Sequence, residues 1–283
     1  MDEVADEPND PSADGTPCVV LCDLDGVVWL SHQPIPGSVE AIAKLRAAGH
    51  RVLFVTNNSS ARVEVQESSL DAIGIPAVGD VLTSASAAAM LIEPGERVLV
   101  CGGEGVVQAV EGRGAVVSDE AGNVRGDAVD AVVVGFHRDF DYDGMLVASR
   151  AARNGARLIG TNDDATYPTP DGPIPGGGAI LASIVTASGV VPVIAGKPYE
   201  PMAELVRAII GHNAAKRAVM VGDRPETDGL MARTLGCRYA HVESGVTAPG
   251  SVVVPTPDLV ARNLADVAKV LIEGGLASGR LPA

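Results

Sequence analysis

The sequence predicts an α/β protein on parallel sheets, with a second α/β unit inserted into the first. Three observations carry this. Apolar runs of strand length, closed by turn residues, alternate with stretches of helical period, beginning with residues 18–23, 37–48 and 51–55. Such β-α-β units cross over right-handedly and set their strands parallel. At 283 residues the chain exceeds one typical core, and the block from about 84 to 190 carries enough strands and helices to be a domain of its own.

Composition narrows the class. Hydrophobic residues make up 46% and charged residues 20%, which is globular, but aromatics are only 3%, so the core must be built from Ala, Val, Leu and Ile. A net charge of −15 argues against nucleic acid and anionic membrane surfaces as partners. An anionic substrate must then be drawn in by local positive charge. No apolar run reaches 18 residues, so no membrane span is expected, and the N-terminus is acidic where a signal peptide is basic. Cys18, Cys22, Cys101 and Cys237 form no C-x-x-C pair. They read as small core residues of a protein in a reducing, cytoplasmic compartment.

Residues 1–16, rich in Asp, Pro and Ser, read as a disordered acidic tail. After the strand 18–23, a loop over 29–36 leads to the helix near 37–48, closed by Gly49, and to the strand 51–55. Helices follow near 61–73 and 84–91. The inserted series holds strands at 97–101, 128–135 and 157–161, a helix at 142–154, and a loop crowded with Pro and Gly from 165 to 178. The turn Gly102–Gly105 does not match a dinucleotide fingerprint. A helix near 179–188 leads to the strand 190–195, a helix from Pro201, the strand 218–221, a helix at 229–235, a strand at 239–242 and a tail helix at 258–273.

Four strand ends stand out, all read as lying on the carboxyl edge of one parallel sheet, where open α/β sheets bind ligands. They are Asp23-Leu24-Asp25-Gly26, Thr56-Asn57-Asn58, Gly196-Lys197-Pro198 and Gly222-Asp223-Arg224-Pro225-Glu226-Thr227-Asp228. Each has a bland reading alone: a turn, a helix N-cap, a solvated lysine. Together they make chemical sense. Buried carboxylates call for a cation, and three or four of them suit Mg²⁺, which takes oxygen ligands and a substrate phosphate. A carboxylate can attack phosphorus. A hydroxyl, amides, a lysine and a helix N-terminus can hold phosphoryl oxygens. A second carboxylate two residues on can serve as general acid and then base.

On these motifs the chain resembles the haloacid dehalogenase-like (HAD) phosphatases, and within them the NagD-type, p-nitrophenyl-phosphatase-like branch with its large α/β cap. The likeness runs from residue 17 to about 250. It implies a Rossmann-like parallel-sheet HAD core over 17–83 and 191–283, with an inserted α/β cap domain over 84–190. It further implies Mg²⁺-dependent hydrolysis of small phosphate monoesters through an aspartyl-phosphate. Asp23 would be the nucleophile and a metal ligand. Asp25 would be the proton shuttle, with its backbone carbonyl on the metal. Asp223 would be a metal ligand, and Asp228 would support the metal from further out. Thr56, Asn57, Asn58 and Lys197 would hold the phosphoryl group. The stretch 162–171 resembles the cap's specificity loop, which places Tyr167 near the non-phosphate end of the substrate, a loop anchor being its alternative. The partner implied is a small phosphorylated metabolite, and caps of this branch pair, so a homodimer through the cap is expected. The segment Leu30-Ser31-His32-Gln33 lacks the glycine common there in the branch. His32 reads as an exposed loop residue, with a place at the entrance as the alternative.

Two other classes compete. Receiver-type signalling domains also gather Asp, Thr or Ser, and Lys around Mg²⁺, but lack an acid two residues after the phosphoacceptor and lack a cap between Thr and Lys. A phosphotransferase to a sugar-like acceptor needs only a different pocket in the cap. A catalytically silent binding protein finds no support, since every expected catalytic side chain is present.

Overall fold

In the computed structural model, which describes residues 17–118, 128–167, 169, 172–248, 250–274 and 276, the two larger sheets are both parallel. The acidic tail and residues 168, 170 and 171 of the specificity loop lie outside the described residues. In chain order the first five strands are β1 (Val19–Cys22), β2 (Trp29–Leu30), β3 (Gln33–Pro34), β4 (Arg51–Thr56) and β5 (Val81–Thr83). The inserted series supplies β6 (Arg97–Cys101), β7 (Val116–Ser118), β8 (Ala131–Val134), β9 (Arg157–Gly160), β10 (Thr166–Tyr167), β11 (Ile174–Pro175) and β12 (Val193–Ile194). The chain closes with β13 (Val219–Gly222), β14 (Arg238–Val242) and β15 (Leu259–Ala261). The core sheet runs β15-β14-β13-β1-β4-β5 and the cap sheet β12-β9-β8-β6-β7, each parallel throughout.

Strand alternation sorts the core-sheet side chains onto two faces. Val20, Cys22, Val52, Phe54, Val219 and Val221 pack with the helices Ser38–Ala47 and Leu264–Ile272. Leu21, Leu53, Val55 and Met220 face the other way, in a cluster that continues through Ala85, Ala87 and Ala88 into Val98, Val100, Val133 and Ile159 of the cap sheet. The helix Ser84–Ala89 therefore belongs to an apolar cluster shared by the two sheets, and its sequence Ser-Ala-Ser-Ala-Ala-Ala lets neighbouring elements approach closely. The outer face of the cap sheet, Leu99, Cys101, Val132 and Val134, belongs to a cluster with the helices Tyr142–Arg153 and Gly177–Ser188. The four cysteines are free. Among the described residues no helix is long and apolar enough to cross a membrane.

Several expectations need correction. The strand expected at 190–195 joins the cap sheet, with Val193 opposite Ile159 and Ile194 opposite Gly160, so Lys197 leaves a cap strand and not a core strand. A buried apolar run announces a strand but not its sheet. The tail helix expected from 258 begins only at Leu264; Asn263 caps it by accepting from the Asp266 N–H, and Leu259–Ala261 pairs with β14 instead. The loop 29–36 holds the β2–β3 hairpin, whose two turn residues, Ser31 and His32, both take positive φ, 48° and 63°. Such a turn favours Gly or Asn, so its missing glycine is a local strain. His32 is exposed, packs its ring on Trp29 at 4.8 Å and stays outside the cleft described below.

The turn Gly102–Gly105 finds its reason here. It lies against the loop after β4: the Gly105 N–H donates to Ser60 O at 3.1 Å, and a Cβ on Gly105 would stand 2.2 Å from Ala61 O and 2.6 Å from Ser59 O. Gly105→Ala should therefore cost about 1–3 kcal/mol of stability in urea unfolding, through overpacking against backbone. Gly112→Ala, in the same helix with nothing near its Cβ, should stabilise slightly, by up to roughly 1 kcal/mol.

Candidate active site

The ends of β1, β4 and β13, with the loop after β12, converge on one buried cluster. β1 ends at Cys22 and releases Asp23 and Asp25; Gly26 then turns with φ 90°. A Cβ on Gly26 would stand 2.5 Å from Asp223, so only glycine lets the first loop pass so close to the fourth. β13 ends at Gly222 and releases Asp223, and a π-helical turn, Pro225–Gly229, brings Asp228 back beneath it. The wide turn lets the Asp228 carboxylate accept the Arg224 N–H at 3.1 Å.

Lys197 stands at the centre, 2% exposed. Its Nζ donates to Asp23 Oδ1 at 2.8 Å and to Asp228 Oδ1 at 2.7 Å. Burial alone would discharge this ammonium, but Asp228 and Asp23 raise its pKa above the ordinary lysine value, so it remains charged. The carboxylates feel the opposite stress. Burial, with Asp23 and Asp223 as like charges beside it, lifts the Asp25 pKa to about 7. Burial and the Asp23 charge also raise Asp223, and burial raises Asp228 against the pull of Lys197.

The donor set fits a hard divalent cation. Carboxylate oxygens of Asp23, Asp223 and Asp228 lie within 4.8 Å of one another. Asp223 Oδ2 accepts the Val246 N–H at 2.7 Å, whereas its Oδ1 is buried with no hydrogen-bond partner. An unpaired buried carboxylate oxygen is costly, and oxygen-only ligation is what Mg²⁺ takes.

Thr56 is buried at the end of β4, and its Oγ1 accepts the Asn58 N–H at 3.1 Å, which leaves the hydroxyl hydrogen available. Asn57 and Asn58 line a cleft together with Asp23, Asp25, Thr56 and Lys197. The helix expected behind these residues starts only at Val63, and the intervening loop turns to the cap; Gly176 and Gly177, at the start of the helix Gly177–Ser188, line the pocket instead. Tyr167 lines the same cleft, with its hydroxyl pKa pushed up to about 12 by burial and by the Asp25 charge.

Sequence reasoning missed three contributors. Phe136, at the end of β8, stacks on Tyr167 with ring centroids 5.6 Å apart and walls the cleft. Arg224 also lines it, and among the described residues its guanidinium has no hydrogen-bond partner. The loop after β14 covers the acidic cluster: Ser244 Oγ donates to Gly26 O at 2.7 Å, and a Cβ on Gly245 would meet the Asp223 carboxylate at 1.9 Å. The run Ser244-Gly245-Val246-Thr247, at the carboxyl edge of a core strand, was the available signal.

Comparison with known proteins agrees with this geometry. The haloacid dehalogenase-like hydrolase family matches residues 20–116, and the HAD-hydrolase-like family matches 194–267. An acid sugar phosphatase from Staphylococcus saprophyticus is 34% identical over 258 residues, 89% of this chain and 96% of that protein. The chain belongs to the haloacid dehalogenase-like hydrolases. It is a phosphomonoesterase of the NagD-like branch. A 5′-nucleotidase from Bacillus subtilis is 35% identical over 80% of this hydrolase and 87% of its own length. The crystal structure of a glycerol phosphate phosphatase from Mycobacterium tuberculosis in complex with magnesium superposes with a TM-score of 0.77 at 33% identity, over 87% of this hydrolase and 75% of that chain.

If Asp223 completes a divalent site, Mg²⁺ should raise the thermal midpoint, adding about 2.7 kcal/mol at roughly a hundredfold excess over its dissociation constant. Asp223→Ala should abolish that shift in a calorimetric scan, with or without substrate.

Proposed function

We propose that this hydrolase cleaves small-molecule phosphate monoesters with Mg²⁺ through a phosphorylated Asp23. The observation that carries the reading is the buried Lys197, bonded to Asp23 and Asp228 beside the unpaired oxygen of Asp223, at the floor of a cleft that Asp25 lines. Asp23, Asp223 and Asp228 would hold the ion, which when bound supplies electrostatic stabilisation to the phosphoryl oxygens.

An Asp23 carboxylate oxygen attacks phosphorus as the ester P–O bond breaks. Asp25, whose environment favours the protonated acid, gives its proton to the departing alkoxide. Lys197 holds Asp23 in line by its 2.8 Å bond and neutralises charge on the phosphoryl oxygens with the Thr56 hydroxyl. Water then attacks the aspartyl-phosphate, losing its proton to the Asp25 carboxylate, and phosphate leaves as the Asp23 carboxylate reforms. Sugar phosphatase and nucleotidase relatives support a polar leaving group of modest size, as does a cleft with Thr166, Arg224 and the Phe136–Tyr167 wall.

Asp23→Asn should lower kcat for p-nitrophenyl phosphate by at least about 10⁴-fold, while circular dichroism stays native. Substantial residual turnover in Mg²⁺ would refute the nucleophile assignment. Asp25→Ala should release a single equivalent of nitrophenol and then stall, because that ester's good leaving group needs little protonation while the second step still lacks its base.

A further inference from the structure

The carboxamide of Asn57 is wholly engaged by protein. Its Oδ1 accepts the Lys197 N–H at 2.8 Å. Its Nδ2 donates to the Lys197 carbonyl and to Asp164 Oδ2, each at 3.1 Å. A carboxamide has two donor hydrogens, so none is left for a phosphoryl oxygen. The Asn57 carbonyl is claimed as well, accepting from Asn162 Nδ2 at 2.8 Å and from Ser84 Oγ at 2.7 Å.

Four chain segments meet on this residue. They are the loop after β4, the start of the helix Ser84–Ala89, the cap loop Asn162–Asp164, and the turn at Gly196 and Lys197 that follows the last cap strand. The seam has no slack: a Cβ on Gly196 would stand 2.5 Å from Asn57 Oδ1. The cap loop is itself braced, with the Asp164 N–H on Asn162 Oδ1 at 3.2 Å and the Tyr199 hydroxyl on Asp163 at 2.5 Å. Asp164 also lines the cleft. Displacement of the cap loop therefore reaches the lysine backbone through one side chain.

We propose that Asn57 is a positioning residue and not a phosphate ligand. It ties the Lys197 backbone to the cap loop at Asp164, so that the ammonium meets Asp23 only with the cap loop seated. The inference rests on the roles of Lys197 and Asp23 proposed above.

A mutant cycle on the full chain with Mg²⁺ and p-nitrophenyl phosphate tests it. Asn57→Ala should lower kcat roughly a hundredfold through misplacement of the lysine, with KM changed less. Asp164→Ala should lower kcat about tenfold, and the double variant should be no worse than Asn57→Ala alone, since both act through one contact. The exchanged pair Asn57→Asp with Asp164→Asn reverses the donor and should recover about tenfold of the loss caused by Asn57→Asp alone. Multiplicative losses with no recovery in the exchanged pair would overturn the proposal in favour of direct phosphate ligation. Thermal melts establish that each variant folds. If Asn57→Ala does not, the exchanged pair and Asp164→Ala decide the question. Turnover by Asp23→Asn would instead refute the underlying mechanism, whatever the cycle returns.

Discussion

The ammonium of Lys197 is the interaction on which the site depends. Asp23, Asp223 and Asp228 bury three carboxyl groups, and one lysine answers them; with all three ionised the cluster would carry two negative charges in excess. Such a set is unstable in a low dielectric unless more positive charge arrives. A divalent ion would bring the sum to zero, and under the mechanism proposed above that balance would let this strongly acidic chain receive a phosphate. Removing the lysine would take from Asp228 and Asp23 their shared donor at once.

The geometry that holds the lysine comes from two sheets at once. Asp23, Thr56 and Asp223 follow strands of the core sheet, whereas Lys197 follows a strand of the cap sheet. The carboxyl edges of both sheets meet at the loop after β4, where Ser59 Oγ and Thr161 Oγ1 lie 3.0 Å apart, Gly105 admits the backbone of Ser59 and Ala61, and Gly135 leaves room for the Ser59 hydroxyl. The cleft-lining residues and the residues that dock the cap are thus neighbours in one short segment, Thr56 to Ala61.

Much of this was legible in the residues. The four polar segments named side chains that the structure brings together around one cleft, Asp23, Asp25, Thr56 and Lys197 lining it and Asp223 and Asp228 clustered with Asp23. The parallel sheets followed from the spacing of strands and helices. What escaped was information held between segments. Val193 and Ile194 are as apolar as a core strand, and only their pairing with Ile159 and Gly160 reveals which sheet owns them. Leu259 and Ala261 read as helix in the sequence, and only the cap at Asn263 and the pairing with β14 separate them from it. Phe136, one aromatic at the end of an aliphatic strand, and Gly245, one glycine in an unremarkable loop, acquire meaning only through Tyr167 and Asp223.

The helix Ser84–Ala89 has a consequence for the exchange of parts between relatives. It stands at the start of the inserted segment, yet its alanines join one apolar cluster with side chains of both sheets, so host and insert share it. A chimera that joins this core to another enzyme's specificity unit would inherit a mismatched spacer if cut at the strand ends alone. The graft would have to carry the alanine layer and its facing valines together, and the reach of recombination within this lineage is bounded by that slab of small residues rather than by the catalytic motifs.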